Sequence, residues 1–139
     1  MDVARIAFIP ILILACSYVY IRGGCTGRIG AAILVVTSLL GHWFGSNMAW
    51  GQFRYDIALI DTACLMLFLL LAMRSDRYWP IWAAGLQQTA VLTHLGAAIL
   101  PEISPAIYEA LATFWKLPIL VVMVAGTYLD LRSGEDAAP

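Results

Sequence analysis

The chain reads as an all-α integral membrane protein, a bundle of five transmembrane helices with four as the lower count. Three observations predict this. Apolar residues make up 62% of the sequence and charged residues 12%, against ~45–50% and ~25% in soluble domains. The mean hydropathy is +0.84. The apolar residues also fall in long runs of the ~20-residue length that crosses a hydrocarbon core of ~30 Å. A chain this apolar has too little polar surface to wet itself. Its 139 residues allow one domain, placed at 1–132, followed by an acidic tail at 133–139 that is expected to fray.

The helices follow in order. The first is expected over 3–21, between Asp2 and Arg22, with Pro10 one to two turns in. The second is expected over 29–50 and the third over 57–73. The fourth is expected over 79–100, where Pro80 occupies a first-turn position that loses no backbone hydrogen bond. The last apolar run, 104–131, would make ~42 Å of helix at ~1.5 Å per residue, which is too long for one span. Its spanning part is therefore placed at 111–131. Residues 104–110 become a cap or interfacial turn, with Ser104 as N-cap and Pro105 at the first helical position. Pro118 should kink the last helix.

Charge in the loops sets the orientation. With five spans, Arg22, Arg28, Arg74, Arg77 and Arg132 share one side, and Arg5 and Arg54 the other. The Arg-rich side is the cytoplasmic one by the positive-inside rule. The N-terminus is therefore expected outside and the C-terminus inside. Net charge is −1 and no basic run is present, which excludes a nucleic-acid partner. The cysteines, Cys16, Cys25 and Cys64, form neither a CxxC pair nor zinc spacing and read as packing residues.

The polar residues inside the apolar runs carry the functional signal. A central charge costs ~2.5–3.5 kcal/mol on insertion scales, so such groups turn toward other helices or water. His42, Asp61, His94 and Lys116 lie on four different helices. Counted from the helix ends at ~1.5 Å per residue, each falls ~6–12 Å below the outer surface. Gln87 shares a stripe with His94, and Glu109 shares one with Lys116. These six residues form the candidate polar cluster, in which Lys116 can reach the surface, Asp61 or Glu109. Gly41 and Gly45 form a GxxxG pattern that suits close helix packing.

The stretch Arg74-Ser75-Asp76-Arg77-Tyr78-Trp79-Pro80-Ile81-Trp82, followed by Gln87 and Thr93-His94-Leu95, resembles small uncharacterised inner-membrane proteins of alphaproteobacteria. The resemblance covers about 57–130. It implies a bacterial inner-membrane location and no particular activity. Physically, Arg74, Arg77, Tyr78, Trp79 and Trp82 read as an interfacial anchor at the cytoplasmic headgroups.

No catalytic motif is present: the sequence has no HExxH, GxSxG or P-loop. The leading expectation is a non-catalytic accessory subunit, assembly factor or scaffold without a cofactor. Its partners would be membrane lipids and either another membrane protein or a second copy. One alternative is a small carrier, channel or proton pathway built on the polar cluster. Another is a haem- or metal-binding redox protein using His42 and His94.

Overall fold

A computed structural model describes residues 3–45, 55–100 and 105–134. Among the described residues all regular secondary structure is helical: α1 (Val3–Arg22), α2 (Gly24–Gly45), α3 (Tyr55–Arg74), α4 (Trp79–Ile99), α5 (Pro105–Phe114) and α6 (Lys116–Ser133). The all-α class is therefore as expected. Two of these helices, Gly24–Phe44 and Tyr55–Arg74, are long and apolar enough to cross a membrane by length and composition.

The long helices pack as a ring, α1 on α2, α2 on α3, α3 on α4, α4 on α6, and α6 back on α1. The short α5 lies against α4 and α6. Phe68, Leu71, Ala83, Ile119, Leu120 and Met123 meet in the middle with Val19 and Leu34.

Two junctions differ from the sequence expectation, each for a local reason. The second helix begins at Gly24, five residues earlier than expected, and only Gly23 separates it from α1. Gly24 adopts φ 59°, which a residue without Cβ takes at little cost. Gly23 donates its N–H to the Val19 carbonyl at 2.8 Å, and a Cβ on Gly23 would come 2.6 Å from that same oxygen. The glycines thus permit a reversal that a seven-residue linker had been expected to make.

The last segment is two helices rather than one span at 111–131 with a turn before it. It breaks at Trp115, three residues ahead of Pro118. A proline inside a helix offers no N–H, and its ring meets the carbonyl four residues back, here that of Phe114. The helix ends at Phe114 and restarts at Lys116. Ser104, the expected N-cap, and 135–139, most of the expected tail, lie outside the described residues. Ser133 still belongs to α6, which ends on Gly134 with φ 77°.

At the end of the bundle where α1 meets α2, close packing is made around Trp79. Trp79 is 3% exposed and lies between α2 and α6. A Cβ on Gly30 would come 2.5 Å from its Cη2 atom, and one on Gly126 would strike its Cβ. This corrects the expected role of Trp79 as a headgroup anchor: the indole fills the gap that two glycines leave. Tyr78 and Trp82 are exposed, as an anchor requires, and so is Arg74. Arg77 instead turns inward, and its Nη1 donates to Asp130 Oδ2 at 2.7 Å, tying the start of α4 to the end of α6.

Candidate functional site

The opposite end of the bundle holds the polar cluster. Asp61 sits in the second turn of α3 and is 2% exposed. His94 sits near the end of α4 and is 1% exposed. His94 Nε2 lies 2.7 Å from Asp61 Oδ2. His94 Nδ1 lies 2.5 Å from the hydroxyl of Tyr108, on α5, whose ring stands edge-on to the imidazole. Three helices are thus joined through one imidazole.

Local sequence explains the placement. Gln87 and His94 are seven residues apart, so they share one face of α4, and both are buried against α3. Gln87 Nε2 donates to the backbone carbonyl of Asp61 at 3.1 Å. That bond fixes the height of α3 against α4 and brings Asp61 level with His94. Tyr108 and Trp115 are also seven apart. Trp115 Nε1 donates to Thr93 Oγ1 at 3.1 Å, which pins the break before α6 to the residue beside His94.

Both partners of His94 open on one cavity of about 270 Å³. Phe8, Ile9, Leu12 and Ile13 of α1, with Val35 and Leu39 of α2, form an apolar wall. Ser38, His42, Asp61, Tyr108, Thr113 and Lys116 form the polar lining. His94 is not part of the lining and stands behind Asp61 and Tyr108.

The chemistry of this arrangement follows from its donors and acceptors. A neutral imidazole donates from one nitrogen and accepts at the other, whereas an imidazolium donates from both. The Asp61 carboxylate accepts from Nε2 in either state. The Tyr108 hydroxyl donates to Nδ1 in the first and accepts from it in the second. The two hydrogen bonds of His94 are therefore compatible with either form of the imidazole. Both of its ends reach the same cavity, and the middle of the bundle is filled by Phe68, Ile119 and Met123. It is a buried hydrogen-bonded group on one cavity wall.

The structure brings together most of the expected cluster. Asp61, Gln87 and His94 form one buried network, and His42 and Lys116 line the adjoining cavity. The side chain of Glu109 lies outside the described residues. Asp61 takes His94 as its partner and not Lys116. His42 and His94 do not face one cavity: His42 is exposed, and both nitrogens of His94 are already engaged. That arrangement does not suit paired axial ligation. Among the described residues no group of three or more His, Cys, Asp or Glu is placed to hold a metal ion. Gly41 also departs from the packing expectation, since a Cβ there would meet only Lys116 Nζ at 3.8 Å. It lines the cavity, and the side-chain surroundings of Gly45 lie outside the described residues.

Tyr108 is the member that sequence reasoning missed. It fell in the stretch assigned to an interfacial turn. The seven-residue spacing from Trp115, on a segment opened by a proline, was the available signal. Comparison of the chain with protein-family models, with curated proteins and with solved structures finds no match.

Proposed function

We propose that the protein is a small multi-pass carrier of a bacterial inner membrane, with Asp61, His94 and Tyr108 as its proton-exchanging centre. The observation that carries this reading is the buried hydrogen-bonded chain with both ends on one cavity. Ionisable groups buried in hydrocarbon are costly and mark substrate or proton sites by default. The packed core beyond the cavity favours a carrier over an open channel.

The membrane location rests on composition and on exposure. Leu14, Ile21, Leu59, Met73, Val121 and Leu129 are each well exposed, on α1, α3 and α6. Only 28% and 22% of the two spanning windows are buried, whereas the core helix of a soluble protein is mostly buried. An apolar surface spread around the bundle matches lipid better than water. In this reading the cavity faces the outer side and the Arg77–Asp130 pair lies at the cytoplasmic face.

The test is proton movement in proteoliposomes made from bacterial polar lipids, read with an entrapped pH-sensitive dye after a pH step. The wild-type protein should equilibrate the lumen faster than protein-free vesicles, and Asp61→Asn should remove the difference. Equal rates for wild type and Asp61→Asn would reduce the network to helix-to-helix glue and restore the scaffold reading.

A further inference from the structure

The cavity has a composition that selects its occupant. Its wall on α1 is aliphatic and aromatic and continues onto Val35 and Leu39 of α2, beside the polar Ser38 and His42 of the same helix, and it ends at Ile9, Ile13 and Leu39, which are 49%, 58% and 62% exposed. The cavity therefore communicates with the outside of the bundle through apolar side chains. In a membrane that opening meets lipid, and what enters comes from the bilayer. At about 270 Å³ the cavity lies just below the usual ~300–1,000 Å³ of small-molecule sites. It has room for one chain and not for a two-chain lipid.

The polar end decides the sign of the head group. Asp61 is committed to His94. Lys116 has no carboxylate within salt-bridge distance among the described residues, and its Nζ lies beside Gly41 at the cavity wall. The hydroxyl of Ser38 is buried in the same lining without a hydrogen-bond partner. One unmatched ammonium and one unmatched hydroxyl, at the head of an apolar slot, are what a carboxylate with its several acceptor sites would satisfy.

From this we infer that the cavity binds a single-chain lipid carboxylate, a fatty acid, taken from the bilayer. The carboxylate meets Lys116 and Ser38, and the first part of the chain lies along Leu12, Val35 and Leu39. The inference rests on the carrier reading and names its substrate class. Asp61 and Tyr108 border the head group, with His94 behind them. No bond is made or broken.

The experiment uses the full chain in phosphatidylcholine nanodiscs with nitroxide-labelled stearate as the probe. Bound probe gives an immobilised component in the paramagnetic resonance spectrum. Laurate should displace it at least about tenfold better than methyl laurate or dodecyltrimethylammonium, the weight of one charge-assisted hydrogen bond. Lys116→Met should lose the immobilised component, and Arg132→Gln, at the far end of α6, should keep it. Should Lys116→Met fail to fold, the competition series on the wild-type protein decides alone. Equal displacement by the ester or the ammonium compound, or an immobilised component that survives Lys116→Met, overturns the inference. Selective laurate binding without proton movement in proteoliposomes would uphold it and remove the carrier reading. Proton movement without laurate selectivity would do the reverse.

Discussion

Asp61 and His94 are each buried almost completely, so the Asp61 carboxylate depends on His94, and Nε2 of His94 on Asp61, for a hydrogen bond. Removing one leaves a polar group in an apolar surrounding. Contacts of this kind between membrane helices are worth ~0.6–1.7 kcal/mol in double-mutant cycles, and breaking a buried ion pair in a soluble core costs ~3–5 kcal/mol. We expect Asp61→Ala to fall between these limits, at about 2 kcal/mol. Asp61→Ala combined with His94→Ala should cost less than the sum of the two single changes. Unfolding in mixed micelles measures all three, and fully additive losses would contradict the pairing. The sequence made part of this legible. An Asp and a His in apolar runs, counted from the helix ends, fell at one depth. Their choice of partner was not legible, because the lever that brings them level is the Gln87 bond to the Asp61 carbonyl, a matter of helix height. A one-dimensional count of residues carries no information on it.

At the scale of the element, glycine decides how near the helices come. Gly30 and Gly126 make room for Trp79 between α2 and α6. Gly30→Ala should therefore destabilise the bundle by about 1–3 kcal/mol, the usual cost of overpacking a filled core. Trp79→Phe removes the far end of the ring that the new methyl would strike, so Gly30→Ala with Trp79→Phe should recover part of the loss. Thermal unfolding in detergent checks this, and an unchanged midpoint in Gly30→Ala would contradict the packing. Helix existence was read well from the long apolar runs, because burial and length dominate there. The junctions were read less well. Pro118 was expected to kink the last helix, and the helical hydrogen bonding lapses at Trp115, which keeps helical backbone angles of φ −63° and ψ −21° while its indole bonds Thr93. The GxxxG at Gly41 and Gly45 attracted a packing role by its spacing. The tight contacts fell instead to Gly30 and Gly126, which face Trp79, and to Gly23 and Gly27, which face the Val19 carbonyl, whereas a Cβ at Gly41 would make only an ordinary contact with Lys116.

On the scale of the whole molecule, an apolar outer surface surrounds a bundle with the Arg77–Asp130 pair at one end and the cavity at the other. In the proposed orientation the positive-inside rule puts the Arg77–Asp130 end at the cytoplasm. A reporter fused after Pro139 should therefore read as cytoplasmic, and one fused before Met1 as external. The opposite pair of signals would turn the cavity to the cytoplasm, and two signals on one side would contradict an odd number of spans. The central claim is that the Asp61–His94–Tyr108 chain exchanges protons and does more than hold helices together. Tyr108→Phe tests it most directly, because it deletes one hydroxyl and keeps the ring against His94. Proton movement per reconstituted protein should fall at least about tenfold, modest against the ~10²–10⁴ that a positioned proton-transfer group supplies. The thermal midpoint should shift by only a few degrees, the weight of one hydrogen bond of ~1 kcal/mol. Undiminished proton movement in Tyr108→Phe would contradict the account.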